Sequence, residues 1–133
     1  MRGNRNADVL RHILTYCEQI NDAIDTFGKS YEIFVNNTIY QNAVALCVLQ
    51  IGELTTQFTD DFKKTYNKVP WNQIKALRNV VAHNYGHIDK EILWETLIHD
   101  IPELSDYCEQ ILKEYDILCQ ECDEEKQEIQ MNM

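Results

Sequence analysis

Apolar residues recur at steps of three or four along most of this chain, and few windows alternate polar with apolar residues. This is the period of an amphipathic α-helix and not that of a β-strand. The chain has only four glycines and two prolines, so few positions interrupt a helix. We therefore predict an all-α fold, in which the helices bury their apolar stripes against one another as an antiparallel helical bundle.

Breaks in this pattern predict where the helices begin and end. Gly28 is a natural stop for the first helix, whereas Pro70 suits the first turn of a helix and Asp89 suits an N-cap. Pro102 falls inside the last pattern, where we expect a kink or a restart capped by Asp100. The predicted helices cover 7–27, 40–62, 71–82, 92–98 and a continuation to 115, with a turn-like stretch at 28–37.

The charge is distributed unevenly along the chain. A length of 133 residues suits one domain, and the formal charge of −10, taken alone, disfavours a nucleic-acid partner. However, residues 1–90 hold 10 basic and 9 acidic side chains, whereas residues 91–133 hold 2 and 13. We expect residues 1–118 to form the bundle and residues 119–133 to form an acidic C-terminal tail that has little to bury.

The cysteines and the N-terminus favour a cytoplasmic protein. No stretch approaches the roughly 20 apolar residues of a membrane-spanning helix, and the polar, basic N-terminus does not resemble a secretion signal. Cys17, Cys47 and Cys108 lie among apolar residues at helical spacing, as small core residues do. Cys119 and Cys122 have the spacing of a zinc-ligand pair, but no second pair lies nearby. We expect no metal and no cofactor.

The segment from Leu77 to Gly86 brings an arginine, an amide, an imidazole and a phenol together at a helix end, as Arg78, Asn79, His83 and Tyr85. Arg78 falls at the edge of the apolar stripe, so its partly buried charge needs an anionic partner. On a straight helix His83 points about 140° away from Arg78. The two side chains therefore converge only if the chain unwinds near His83 or if a second copy supplies part of the site.

An arginine and a histidine beside a phosphate suit the cleavage of RNA without a metal. A neutral imidazole accepts the proton of the ribose 2′-hydroxyl, whose oxygen then attacks the adjacent phosphorus. The guanidinium stabilises the negative charge that grows on the phosphoryl oxygens. DNA lacks this hydroxyl and would not be cut.

These residues resemble the HepT-like branch of the HEPN family, whose motif is Arg, four residues, His, one residue, Tyr. The resemblance covers the chain up to about residue 118. It implies a homodimer in which two motifs face one cleft and act as a metal-independent endoribonuclease toxin. It also implies an antitoxin, an MntA-type nucleotidyltransferase, that silences the toxin by adding adenylate to Tyr85. The segments that carry the resemblance are Gln50–Leu54, Pro70–Trp71, Leu77–Asn79, His83, Tyr85 and Leu93–Trp94.

Two alternatives stay open at this stage. Bundles of this family also serve as non-catalytic modules that bind a nucleotidyltransferase and leave RNA intact, and the acidic tail is not explained by the motif. Glu53 is either a solvated side chain or the internal partner that orients Arg78, and we favour the partner. The predicted site is therefore Arg78, His83 and Asn79 for catalysis, Tyr85 for regulation and Glu53 in support.

Overall fold

The computed structural model describes the backbone of residues 3–83, 87 and 89–115, and the side chains of these residues except 3, 4, 80 and 83. The described residues are almost entirely helical, as the sequence predicts, and they contain no β-strand. The helices are α1 (Gly3–Phe27), α2 (Tyr31–Val35), α3 (Thr38–Thr55), α4 (Asp60–Thr65), α5 (Trp71–His83), α6 (Lys90–Glu95), a π-helical turn (Thr96–Asp100) and α7 (101–115).

Helix α3 is the central element, because it packs against both α1 and α5. Tyr40 at its start stacks on Phe27 at the end of α1, and Asn6 near the start of α1 contacts Thr59 beyond the end of α3. The two helices are therefore antiparallel. Helix α7 then covers the bundle, burying side chains such as Cys108 within the same core as α1 and α3.

The predicted six-turn helix from Tyr40 to Phe62 is wrong. Helix α3 ends at Thr55, where the Thr55 and Thr56 hydroxyls donate hydrogen bonds to the carbonyls of Gly52 and Glu53. Thr59 then caps a separate short helix, since its Oγ accepts from the backbone N–H of Phe62 at 3.2 Å. The break lets Phe58, which lies in it, and Phe62, which follows it in α4, pack against Trp71 at the start of α5.

Two other segments differ from the prediction. The turn-like stretch contains α2, which Ser30 caps and which buries Phe34. The expected restart at Pro102 is wrong: helix α6 continues into α7 through the π turn, in which the Ile101 N–H bonds to the Thr96 carbonyl. The wider turn accommodates a proline ring that would otherwise meet the carbonyl four residues earlier. Asp100 therefore lies within the helix and is not its cap. The expected kink stays a prediction.

No helix in the described part of the chain has the length and apolar character needed to span a membrane. The residues from 116 onward lie outside the description, so the expected boundary between the bundle and an acidic tail at 119–133 stays a prediction.

Candidate active site

Arg78 lies where α5 crosses α3 at close range. The α3 residue beneath it is Gly52, and a Cβ built on this glycine would overlap the Arg78 Cβ and come within 2.7 Å of its Cγ and 3.3 Å of its Cα. Such distances are shorter than carbon–carbon contacts allow. Only glycine therefore permits α5 to approach α3 this closely with Arg78 at the crossing point.

Two polar side chains hold the Arg78 guanidinium. Its Nη2 donates to the Glu53 carboxylate, one residue beyond Gly52 on α3, and its Nη1 donates to the Asn79 Oδ1 at 2.9 Å. The Arg78 side chain is 31% exposed and that of Glu53 is 42% exposed. The pair thus lies at the surface, where an ion pair contributes about 0–1 kcal/mol to stability. The ion pair therefore orients the guanidinium more than it stabilises the fold.

Arg78 still has hydrogen-bonding capacity. A guanidinium carries five N–H donors, and Glu53 and Asn79 accept from one Nη group each. The Nε atom is buried, and within the described part of the chain it has no hydrogen-bond partner. An unsatisfied buried donor costs about 1–3 kcal/mol, so this side chain is not placed for maximal stability. The remaining Nη hydrogens can donate to an anion at the surface.

The other predicted residues are described in part. Asn79 is exposed and bonds to Arg78, and His83 is the last residue of α5, about five residues or 7.5 Å of helix rise beyond Arg78. The His83 side chain and all of Tyr85 lie outside the described residues. The structure therefore brings Arg78, Asn79 and Glu53 together, and their roles in catalysis, with those of His83 and Tyr85, stay predictions.

The buried thiols are not suited to chemistry. Burial raises the pKa of Cys17 and that of Cys108 to about 12, and it also raises the pKa of Cys47. A thiol with so high a pKa forms little of the nucleophilic thiolate near neutral pH. No three His, Cys, Asp or Glu side chains cluster as metal ligands among the described residues. Cys119 and Cys122 are outside them.

Sequence reasoning missed the role of Gly52. Gly52 belongs to the segment Gln50–Leu54 that carries the resemblance, but a glycine inside a helix predicts no particular contact, and the residue that it accommodates, Arg78, is 26 positions away in the sequence. The useful signal was the adjacent Glu53. Glu53 is the one charged residue of α3, and a lone carboxylate on a largely buried helix favours a cationic partner from another element.

The fold and this site define a small helical-bundle protein that presents an oriented, partly exposed arginine on its surface. The family model described as ribonuclease HepT-like matches residues 13–111 of the chain. That match spans most of the helices and includes Glu53, Arg78 and His83. The chain belongs to the HepT-like ribonuclease family.

Individual relatives agree with this membership. A proposed RNase of Caldanaerobacter subterraneus is 33% identical over 104 residues, which are 78% of this chain and 91% of that protein. A proposed RNase of Methanocaldococcus jannaschii is 33% identical over 98 residues, 73% of this chain and 90% of its own length. A protein of Thermococcus cleftensis named as a probable ribonuclease HepT is 30% identical over 103 residues, 74% of this chain and 94% of its own. No solved structure matches the chain.

Proposed function

We propose that this protein is a metal-independent endoribonuclease that acts as a homodimer and serves as the toxin of a toxin-antitoxin pair. The observation that carries the proposal is the Arg78 guanidinium, which is oriented by Glu53 and Asn79, keeps Nη hydrogens for an anion and precedes His83 by five residues on the same helix. Membership of the HepT-like ribonuclease family supports RNA as that anion.

The proposed reaction uses the nucleophile of the RNA itself. His83 accepts the proton of a ribose 2′-hydroxyl, and the 2′-oxygen bonds to the adjacent phosphorus as the bond from phosphorus to the 5′-oxygen breaks. That 5′-oxygen takes a proton from water and leaves as a hydroxyl, the protonated His83 returns its proton to water, and the other product ends in a 2′,3′-cyclic phosphate. Arg78 stabilises the charge on the phosphoryl oxygens through its Nη donors.

The surface of α3 supports a homodimer. Ile39 is 71% exposed and Leu46 is 53% exposed, and they lie seven residues apart on one stripe of the helix. Glu53 follows seven residues later on the same stripe, and its carboxylate contacts Arg78. A second copy that covers the apolar part of this stripe would lie next to the Arg78 site. Two sites would then face each other, which supplies the convergence that a single straight helix does not.

The regulatory part of the proposal concerns Tyr85, two residues beyond His83. A nucleotidyltransferase of the MntA type would add adenylate to its phenol, and the added phosphate would repel RNA from the site. Mass spectrometry of the protein produced with and without its neighbouring genes tests this step. An adenylate on the peptide that contains Tyr85, together with loss of RNA cleavage, is the expected result, and an unmodified tyrosine in a silenced complex would contradict it.

The test of the activity is RNA digestion in a metal chelator by four variants. Arg78→Ala and His83→Ala are expected to lose cleavage by at least about a hundredfold, since each removes a group that acts in the transition state. The matched controls are Arg11→Ala and His12→Ala, which change an exposed arginine and an exposed histidine on α1 and should cut like the wild type. A folded wild-type protein that binds a nucleotidyltransferase but never cuts RNA would support the alternative, a non-catalytic binding module.

A further inference from the structure

The positive charge of this acidic chain is concentrated in one segment that contains no acidic residue. Residues 62–88 hold five of the twelve basic side chains and no Asp or Glu, whereas the whole chain has a formal charge of −10. The segment comprises most of α4, the loop after it and the whole of α5. Its basic residues are Lys63, Lys64, Lys68, Lys75 and Arg78.

Two of these lysines line a cavity at the start of α5. Lys63 and Lys64 in the last turn of α4 face a space of about 550 Å³ whose other lining includes Asn67 and Asn72. The ion pairs found among the described residues involve none of the four lysines of the segment. The cavity therefore presents lysine and amide donors beside the positive end of a 13-residue helix.

Helix α5 connects this cavity to Arg78. Asn72, Lys75 and Asn79 are exposed, and steps of three and four residues place them on one face of the helix. Arg78 lies at the edge of that face, three residues after Lys75. The rise from Asn72 to Arg78 is about 9 Å, or roughly three nucleotides of a stacked strand at about 3.4 Å each. Polar and cationic donors thus follow the helix without an intervening carboxylate.

We propose that Lys63, Lys64 and Lys75 bind the phosphates of the RNA strand on one side of the bond that is cut, with Arg78 at the scissile phosphate. This lysine track rests on the proposed ribonuclease function and extends it, because it assigns a substrate-binding site beyond the motif residues. It also explains how a protein with so large a negative charge holds RNA: the strand follows residues 62–88, which carry no acidic side chain, and the carboxylate that contacts Arg78 is that of Glu53, which orients the guanidinium.

Binding is tested on a single-stranded RNA of about ten nucleotides whose 2′-hydroxyls are all methylated, so that cleavage cannot interfere. The double variant Lys63→Gln/Lys64→Gln is compared with Lys29→Gln/Lys113→Gln, which removes the same charge from exposed sites on other elements. Each lost phosphate contact makes the slope of log K against log salt less steep by about 0.7. The loss of affinity between 50 and 200 mM salt is then smaller by a factor of about 2.6. Two lost contacts correspond to about sevenfold.

Cleavage is tested on two unmodified substrates, a long RNA and a dinucleotide that reaches only the Arg78 site. We expect the double variant, and Lys75→Gln to a smaller extent, to raise KM for the long RNA and to leave kcat/KM for the dinucleotide within about twofold. Lys75 is exposed on α5, so its variant keeps the test valid if the double variant does not fold. A KM effect confined to long substrates is not produced by a general loss of structure.

The outcomes separate the lysine track from the ribonuclease proposal. If the wild type cuts RNA but the double variant has the affinity and the salt slope of the control, the lysine track is wrong and the proposed activity stands. If the wild type cuts nothing, the activity fails, and the binding arm still decides whether these lysines hold RNA. Tighter binding by the double variant also overturns the track, because the lysines would then be engaged by an acidic part of this chain.

Discussion

Replacing Gly52 with alanine introduces a methyl group at the crossing of α3 and α5. The new carbon would overlap the Arg78 Cβ and lie 2.7 Å from the Arg78 Cγ and 3.3 Å from its Cα. Carbon–carbon contacts require about 3.5–4.0 Å, so the helices must separate by on the order of 1 Å. The backbone fixes the Arg78 Cα and Cβ, so a rotamer change, which moves only the Cγ and the atoms beyond it, cannot relieve the overlap.

The expected loss of stability follows from two opposing effects. Overpacking costs about 1–3 kcal/mol, and contacts this close to the backbone place Gly52→Ala near the upper value. Alanine recovers about 1 kcal/mol, because it favours the helix more than glycine does. The free energy of unfolding should therefore fall by about 2 kcal/mol, which corresponds to roughly 5–10 °C in Tm. Activity should fall more, up to about a hundredfold, since a shift of 1 Å misplaces the guanidinium.

Urea unfolding followed by circular dichroism measures the stability, and a pair of double variants identifies its cause. In an Arg78→Gly background, where the Cβ and Cγ are gone, Gly52→Ala should cost little or stabilise the protein, giving a coupling energy of about 2 kcal/mol. In an Arg78→Ala background, which keeps the Cβ, the loss should persist. Equal effects of Gly52→Ala in all three backgrounds would refute the close approach at this crossing.

Two further predictions follow from the site and from the core. Glu53→Gln keeps the shape of the side chain but removes the charge that holds Arg78, so kcat should fall at least tenfold, while RNA affinity is unchanged or tighter and stability changes by less than about 1 kcal/mol. Weaker RNA binding without a loss of kcat would contradict a positioning role. Iodoacetamide at mildly alkaline pH should leave Cys17 and Cys108 unlabelled in the folded protein and label them in denaturant, because burial raises the pKa of each to about 12. Labelling of either cysteine in the native state would contradict this expectation, and peptide mass mapping reads out both outcomes.

The helical content was predictable because helix formation in this chain follows a local pattern. The period of the apolar residues indicates α1, α3, α5 and α7, and the Asp89 side chain accepts hydrogen bonds from the N–H groups of Glu91 and Ile92, as an N-cap does. Prediction failed where the local sequence suits two structures about equally, a continued helix or a break in it. Phe58 and Phe62 continue the apolar period of α3, but the capping by Thr59 and the packing of both rings with Trp71 favour a break.

Individual residues of the candidate site were predictable from the sequence, but the packing of the helices that carry them was not. The position of Arg78 at the edge of an apolar stripe indicates that its charge needs an anionic partner, and in the structure the Glu53 carboxylate contacts the guanidinium. The closeness of α3 and α5 was not predictable, because it depends on where two helices separated by a turn and a short helix cross. The acid-free segment 62–88 is not visible in the charge of residues 1–90, because its acidic neighbours balance it there.

The most direct test of the account is the chemistry of the cut ends. An RNA with one known cleavage position is digested in a metal chelator, and the products are analysed by mass spectrometry beside the same RNA carrying a single 2′-deoxy sugar at that position. The account predicts a 2′,3′-cyclic phosphate opposite a 5′-hydroxyl, and no cut where the 2′-hydroxyl is missing. Products with a 3′-hydroxyl and a 5′-phosphate, or undiminished cutting at the deoxy position, would contradict it.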